Sequence, residues 1–263
     1  MVRLTRGIDL VYEAATGRLR AGRLPRAELG LTALRLWATL QGEPDRTTGL
    51  LVNVSQIDAA IQTVADQGLP IRHVEDVLTW AVEVLRASFP TFPVRRVQLD
   101  LAPTVRIAYL PRPEGQPMIE ITRQYELAAS HRLCNPDWDE QRNFKVFGQC
   151  SNPRGHGHNY LLHVTWRGKT RAQTGQVLDL QAADRLVRQE VLERFDHKNL
   201  NEDTPEFARL IPTVENMAQV FWELLDGRLP DVQLARVRVW ETEKTYAEYA
   251  GPAAGPLRYS DAV

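Results

Sequence analysis

Cysteine is scarce in this 263-residue sequence, which contains only Cys134 and Cys150. Two cysteines cannot form the disulfide framework of a small secreted scaffold, so a reducing, cytoplasmic location is expected. An excess of charge is also lacking, since 32 Lys and Arg residues stand against 33 Asp and Glu residues, for a net charge of −1. Without a basic excess, binding of nucleic acid through its phosphates is not expected.

Long apolar runs are missing as well. No stretch approaches the ~18 apolar residues that a membrane-spanning helix needs, and the first twenty residues have no apolar core of signal-peptide length. No cationic stretch indicates binding to a membrane surface. The residues that are present, 43% hydrophobic and 25% charged, suffice for a globular core.

The sequence contains an internal repeat. Residues 36–61 and 162–187 each read as an apolar strand, a turn, a Thr-Gly pair and then a helix that opens on Asn or Asp. The openings 5–19 and 122–133 match more loosely. These correspondences predict two copies of one structural unit.

The second half of each copy matches without a gap. The helix at 73–85 corresponds to 213–225, and the strand pair at 97–109 corresponds to 237–249. In the second copy, Thr213 is predicted to cap the helix, with an acid in its first turn. An insertion around 196–212 distinguishes this copy from the first.

The pattern predicts an α+β fold of two tandem ββααββ units, with antiparallel sheets and helices on one face. Residues 1–110 would form the first unit and 118–250 the second, with a Pro-rich linker at 111–117 and a C-terminal tail at 251–263. The open sheet edges of such units usually pair with another copy, which favours assembly into barrels and a homo-oligomer.

Histidine is concentrated between residues 150 and 160. His156 and His158 are two positions apart, so on a strand their side chains project from the same face and can share one metal ion. His131, after the apolar run 125–130, is the best third ligand. Three histidines with an open fourth position form the ligand set of a catalytic zinc. The alternative is a set of hydrogen-bonded or surface histidines, the interpretation given to His163 and His73.

Cys150 precedes the paired histidines by a flexible loop. It could complete a closed, structural zinc site, or it could stand near the metal as a thiolate base. The adjacent Asp196 and His197 form a candidate pair for handling its proton.

These motifs resemble the 6-pyruvoyl-tetrahydropterin synthase family, which is related to the 6-carboxytetrahydropterin synthases. The resemblance covers about residues 118–250 and is carried, in order, by 128–133, 139–160, 196–200, 213–216 and 240–242. It implies the tunnelling fold, in which ββααββ units join across subunits into barrels. The first copy has Ala14 and Thr32 where the second has His131 and His158, which indicates a degenerate unit without the metal site.

The resemblance also implies a role for each matching residue. The implied roles are Zn²⁺ ligands at His131, His156 and His158, a proton acceptor at Cys150, an activating pair at Asp196 and His197, a further relay acid at Glu241, and a pterin anchor at Glu215 beside Thr213. Val214 stands where the family usually has a second Thr, so one polar contact to the pterin would be absent.

The implied activity is conversion of 7,8-dihydroneopterin triphosphate to 6-pyruvoyl-tetrahydropterin with elimination of triphosphate. The long spacing between Cys150 and His156 favours this product over that of a 6-carboxytetrahydropterin synthase of the queuosine type, which uses the same substrate. A zinc- or pterin-binding protein without turnover is an alternative of another class. The sequence has no phosphate-binding Gly-rich loop, so Arg142, Arg154 and Lys198 are candidates for holding the triphosphate.

Overall fold

A computed structural model describes residues 1–22, 31–65, 74–111, 118–171 and 176–252 of the chain. The described residues form two compact units of mixed α+β architecture. The first unit comprises Met1–Thr122 and Arg167–Val177, and the second comprises Arg123–Trp166 and the residues from Leu178 onwards. The linker expected at 111–117 and the tail expected at 251–263 lie almost entirely outside the described residues.

Along the chain, the first unit has three strands, then two helices, then two more strands. Its strands are β1 (Val2–Glu13), β2 (Arg18–Ala21), β3 (Leu31–Gly42), β4 (Val94–Ala102) and β5 (Val105–Leu110). Its helices are α1 (Val54–Ala65) and α2 (Val74–Ser88). The strands lie in the order β5-β4-β3-β1-β2, and each neighbouring pair is antiparallel.

The second unit has the same alternation with additional short elements. Its strands are β6 (Met118–His131) and β7 (His156–Gly168), which have most of their length in this unit, and β8 (Lys198–Asn199), β9 (Gln233–Thr242) and β10 (Thr245–Tyr249). Its helices are α3 (Glu140–Phe147), α4 (Leu180–Val187), α5 (Glu193–Phe195) and α6 (Val214–Leu225). The strands lie in the order β10-β9-β7-β6, and β8 pairs with β6 in parallel.

Polar side chains fix where the helices begin. Asn53 accepts a hydrogen bond from the backbone N–H of Ser55 at the start of α1. Asp179 caps α4, and Thr213 caps α6 by accepting from the N–H of Asn216. These caps satisfy amide donors that have no partner within the helix. The predicted helix starts at Asn or Asp, and the predicted cap at Thr213, are therefore confirmed.

Each unit has its own apolar core. In the first unit, Leu78 and Leu85 of α2 and Leu99 of β4 have no exposed surface. In the second, Phe221 of α6 and Val239 of β9 are equally buried. Burial of this kind is the main stabilising contribution to the fold, at about 25 cal/mol per Å² of apolar surface.

A bidentate ion pair occurs at corresponding repeat positions in both units. In the first, Arg6 of β1 donates to Asp58 of α1 at 2.8 and 2.5 Å. In the second, Arg123 of β6 donates to Asp184 of α4 at 2.9 and 2.6 Å. Arg6 and Arg123 are each the second residue of the matched openings 5–19 and 122–133. The same strand-to-helix contact is thus made twice along the chain.

Two local features were not anticipated from the sequence. Helix α3 lies within the motif that precedes Cys150 and is capped by Asp139, which accepts from the N–H of Arg142 at 2.7 Å. Between α4 and α5 the helix passes through a π-helical segment, Arg188–Leu192. Within the described part of the chain, no helix is both long and apolar enough to cross a membrane.

Candidate active site

Three histidines converge where β6 ends and β7 begins. His156 is the first residue of β7, His158 follows on the same face, and His131 is the last residue of β6. One potential ligand atom from each of them lies within 4.8 Å of the others. Among the described residues, these three histidines form a group of potential ligands close enough to share one metal ion. Cys150 is not part of it.

The orientation of His131 is set from outside the cluster. Its ring is almost fully buried, and Nδ1 lies 2.8 Å from the backbone oxygen of Pro212, just before α6. A carbonyl oxygen can only accept, so Nδ1 carries the proton and Nε2 presents a lone pair. The hydroxyl of Tyr160 lies 3.3 Å from the same Nδ1, and its ring packs edge-on against His131.

Burial favours the neutral form of two of these imidazoles, His131 and His158. It lowers the pKa of His131 to about 4, despite the opposing effect of the hydrogen bond to Pro212. Burial also lowers the pKa of His158, opposed by the Glu241 carboxylate. Neutral rings at physiological pH are the form that binds a metal ion.

The nitrogens of the cluster fit a cation. Nε2 of His131 and Nε2 of His156 are 3.2 Å apart. Nδ1 of His156 and Nε2 of His158 are buried and have no hydrogen-bond partner among the described residues. Buried polar atoms without partners are costly. Three imidazoles whose ligand atoms lie this close together form the donor set that zinc accepts.

Gly155 brings the loop after Cys150 against β6. Its φ angle is +65°, and a Cβ atom at this position would lie 2.8 Å from the backbone oxygen of His131. Both the left-handed conformation and the close approach require glycine. The Gly before the first histidine is therefore a structural requirement for placing β7 next to His131.

Cys150 lies at the wall of a cavity beside the histidines. It belongs to a single 3-10 turn, Gly148–Ser151, and its carbonyl accepts from the N–H of Leu133 at 2.8 Å. The cavity has a volume of about 720 Å³ and is lined by Phe144, Gly148, Gln149, Cys150, Asn152, Pro153, Gly155 and His156. Burial raises the pKa of the Cys150 thiol, and the nearby Glu241 carboxylate raises it further. The thiol therefore needs an additional group to become a thiolate at neutral pH.

Asp196 and His197 are attached to the strand that carries His131. Asp196 Oδ1 accepts from the backbone N–H of Ala128 at 2.8 Å, and the N–H of His197 donates to the oxygen of Ala128 at 2.6 Å. The second carboxylate oxygen, Oδ2, lies 3.0 Å from Nδ1 of His197. His197 has a φ of +59°, unusual for a residue with a side chain. The Asp196 carboxylate thus orients the ring, whose side chain is 83% exposed.

Asn201 completes this attachment. Its side-chain oxygen accepts from the N–H of Arg132 at 2.7 Å, and its side-chain nitrogen donates to the Arg132 oxygen at 3.0 Å. Leu200 donates to the oxygen of Ser130 at 2.8 Å. The segment that holds His197 is therefore bonded to the chain on both sides of His131, to Ser130 within β6 and to Arg132 just after it.

The two predicted glutamates occupy different environments. Glu241, near the end of β9, points Oε1 to within 3.5 Å of Nε2 of both His131 and His158. Glu215 is exposed in the first turn of α6, directly after the cap residue Thr213 and the buried Val214. The structure places Glu241 at the histidine cluster and Glu215 at the surface of its unit.

The candidates for binding triphosphate are surface residues. The Arg142 guanidinium lies 4.2 Å from the centre of the Trp138 ring, a cation–π contact. Arg154 follows the cavity residues Asn152 and Pro153, and its side chain is exposed, as is that of Lys198.

Three groups around the site were not identified from the sequence. They are the carbonyl of Pro212, the hydroxyl of Tyr160 and the amide of Asn201. Tyr160 had the clearest signal, since it continues the alternation of His156 and His158 on one face of a strand. The Pro212 and Asn201 contacts join residues distant in sequence, and no local pattern specifies them.

Comparisons with known proteins support the interpretation of this half of the chain. The 6-pyruvoyl tetrahydropterin synthase family model matches residues 120–252. Human 6-pyruvoyl tetrahydrobiopterin synthase is 38% identical over 132 residues, which cover 50% of this chain and 91% of that protein. A 6-carboxy-5,6,7,8-tetrahydropterin synthase from Aquifex aeolicus is 25% identical over 159 residues, which cover 49% of this chain and 96% of that protein.

A likeness in fold alone extends further along the chain. The structure of uricase from Arthrobacter globiformis covers 98% of this chain and 97% of its own, with a TM-score of 0.53 and 11% identity. The matched family region, in contrast, contains the three converging histidines, Cys150 and the Asp196–His197 pair. Together with the match over half of its residues, this site shows that the chain belongs to the 6-pyruvoyl tetrahydropterin synthase family.

Proposed function

We propose that this chain is a zinc-dependent lyase that converts 7,8-dihydroneopterin triphosphate to 6-pyruvoyl-tetrahydropterin and triphosphate. The observation that carries the proposal is the cluster of His131, His156 and His158 beside the Cys150 cavity. It lies in the region that matches the family. The ligand atoms of the three histidines lie close together, while the thiol stands outside the ligand set, as a base rather than a ligand requires.

In the proposed reaction, zinc and Cys150 have different roles. Zinc held by the three histidines would supply a Lewis acid that makes the C–H protons next to the ligated side-chain hydroxyls more acidic. Cys150 as thiolate would take one of these protons, and the electron pair would move into the dihydropterin ring. Return of a proton to carbon and departure of triphosphate would complete the elimination.

Activation of Cys150 requires a partner, because its surroundings raise the pKa of the thiol. The oriented His197 ring can accept that proton, and the Asp196 carboxylate would stabilise the resulting imidazolium. His197 is largely exposed, which supports a site completed when His197 of one chain meets Cys150 of another.

Glu215 would anchor the pterin. The 2-amino and N3–H groups of a pterin form a pair of parallel donors, which a carboxylate accepts in a bidentate manner. The exposed position of Glu215 in the first turn of α6 suits a residue that contributes to a site between chains. Thr213 is already used as the cap of that helix.

The proposal includes two tandem tunnelling-fold units, the first without a metal site, assembled into barrels as a homo-oligomer. The shared element order and the corresponding Arg6–Asp58 and Arg123–Asp184 pairs support the duplication. A cytoplasmic location remains part of the proposal, supported by two cysteines that are both free thiols.

A 6-carboxytetrahydropterin synthase activity on the same substrate is the second candidate. The Aquifex aeolicus relative favours it, but the relatives named 6-pyruvoyl tetrahydrobiopterin synthase match at higher identity. The long spacing from Cys150 to His156 also favours the pyruvoyl product. A pterin- or zinc-binding protein without turnover is the candidate of a different class.

One incubation separates these candidates. Purified protein is mixed with 7,8-dihydroneopterin triphosphate under anaerobic conditions, and the products are identified by mass. We expect 6-pyruvoyl-tetrahydropterin and inorganic triphosphate from the wild type and neither from Cys150→Ala. A 6-carboxytetrahydropterin product would support the second candidate. Unchanged substrate with zinc bound would support the non-catalytic protein.

A further inference from the structure

The position of Glu241 is not that of a hydrogen-bonding acid. Its Oε1 atom lies 3.5 Å from Nε2 of His131 and 3.5 Å from Nε2 of His158. A carboxylate that accepts a hydrogen bond from an imidazole approaches it to about 2.7–2.9 Å. Glu241 is equally distant from both rings and too far from each for such a bond.

The electrostatics around Glu241 also favour a bound cation. Nε2 of His131 presents a lone pair, because the ring donates its proton to Pro212 from Nδ1. Nε2 of His158 is buried without a hydrogen-bond partner among the described residues. The side chain of Glu241 is only 20% exposed, so its negative charge faces the lone pairs with little screening by water.

The distances match those between ligands of one ion. Zinc bonds of about 2.0–2.1 Å at tetrahedral angles separate ligand atoms by roughly 3.4 Å. The Nε2 atoms of His131 and His156 are 3.2 Å apart. Glu241 Oε1 lies 3.5 Å from Nε2 of His131 and of His158. These three distances are therefore close to the spacing between the ligands of one tetrahedral zinc ion.

We infer that the Glu241 carboxylate occupies the fourth position of the metal in the substrate-free protein and is displaced by the side-chain hydroxyls of the substrate. This inference rests on the proposed function for the identity of metal and substrate. The exchange breaks one metal–carboxylate contact and forms a contact to a hydroxyl, without any redox step. The displaced carboxylate then lies beside the bound hydroxyls. There it can take part in proton transfer.

The test measures metal binding rather than turnover. Zinc affinity is determined by competition with a chelating dye for the wild type, Glu241→Gln and Glu241→Ala. Glu243→Gln serves as the matched control, since it removes the same charge at an exposed position two residues further along. Loss of a metal ligand should weaken zinc binding at least about tenfold in both Glu241 variants and leave the control unchanged.

Cobalt spectroscopy gives a second readout. With Co²⁺ in place of zinc, the visible absorption of Glu241→Gln should differ from that of the wild type, because the ligand set differs. Adding dihydroneopterin triphosphate to the Co²⁺-loaded Cys150→Ala protein, which should not turn over, should change the spectrum as the carboxylate leaves. Circular dichroism checks folding, and Glu241→Gln decides the matter if Glu241→Ala does not fold.

The outcomes separate the inference from the proposed function. Wild-type affinity and an unchanged cobalt spectrum in Glu241→Gln would overturn the inference, even if the wild type forms 6-pyruvoyl-tetrahydropterin. Failure of the wild type to bind zinc would overturn both. Weakened zinc binding in Glu241→Gln supports the inference, even if the wild type proves to form the 6-carboxy product.

Discussion

Asp196 holds His197 in one orientation, with its Oδ2 atom 3.0 Å from Nδ1 of the imidazole. The other carboxylate oxygen is bonded to the backbone of β6, so the pair moves with the strand that ends at His131. The ring nevertheless remains 83% exposed. An oriented but exposed imidazole is suited to act on a group that another chain supplies.

Mixing two inactive variants tests that arrangement. Cys150→Ala and His197→Ala should each lose turnover, because each removes one member of the proposed proton-transfer pair. When the two proteins are dissociated, mixed and reassociated, part of the activity should return if the residues meet across chains. Light scattering provides the control by showing that mixed oligomers have formed. Mixed oligomers without recovered activity would mean that each site is built within one chain.

Zinc content tests the metal site. We expect about one ion per chain, because Ala14 and Thr32 of the first unit stand at the positions of two of the ligands. His156→Ala should lose most of the metal. His163→Ala should retain it, because the described contact of its Nε2 is to the Gln124 side chain at 3.0 Å. Two zinc ions per chain by metal analysis would contradict a first unit without a site.

The two cysteines should respond differently to substitution. Cys150→Ala should retain zinc and fold but lose turnover, since the thiol lies outside the histidine cluster. Cys134→Ala should have little effect on either. Metal analysis and product formation are measured on both variants. Loss of zinc from Cys150→Ala would instead identify the cysteine as a ligand of a structural site.

Acid should destabilise the metal-free protein through its buried histidines. The pKa of His131 is about 4 in the folded chain, and it rises to its ordinary value of about 6.5 on unfolding. Between these values the unfolded chain binds a proton that the folded chain does not. The free energy of unfolding should therefore fall, by up to about 3 kcal/mol, as pH drops from 6.5 to 4.

Urea unfolding of the zinc-free protein at several pH values measures this effect. His131→Gln should reduce the dependence on pH, and the remainder is expected from His158, whose pKa burial also lowers. The same pH dependence in the variant as in the wild type would exclude His131 as its source.

The corresponding ion pairs should differ in strength. The Arg123 side chain is 18% exposed and that of Arg6 is 40% exposed, so solvent screens the Arg123–Asp184 pair less than the Arg6–Asp58 pair. Asp184 also accepts from the Tyr125 hydroxyl at 2.8 Å. Asp184→Asn should therefore lower the free energy of unfolding by about 1–2 kcal/mol, and Asp58→Asn by less. A larger loss in urea-unfolding measurements for Asp58→Asn would contradict this ranking.

Local patterns in the sequence predicted the local structure around part of the candidate site. His156 and His158 could be placed on one face of a strand because side chains alternate with a period of two. The helix starts at Asn53, Asp179 and Thr213 could be predicted because a side-chain acceptor before an apolar periodic segment marks a helix start. In each case the physical cause acts over a few residues.

Contacts between distant segments were beyond such patterns. The carbonyl that orients His131 belongs to Pro212. Every residue has a backbone oxygen, so the residue type at this position does not indicate the contact. Helix α3 was also missed, although Asp139 is a suitable cap, because only Asn143 within it is buried and no apolar face indicated a helix. The placement of Glu241 between two histidines depends on strand order, which the repeat alone does not specify.

The acceptor for His131 has a consequence for how the site withstands mutation. Because Nδ1 donates to a main-chain oxygen, every amino acid at position 212 supplies the same chemical group. Substitution there can shift the oxygen but cannot delete it. The tautomer of His131 is thus determined by the path of the backbone before α6. A mutation can change it only by displacing the start of that helix.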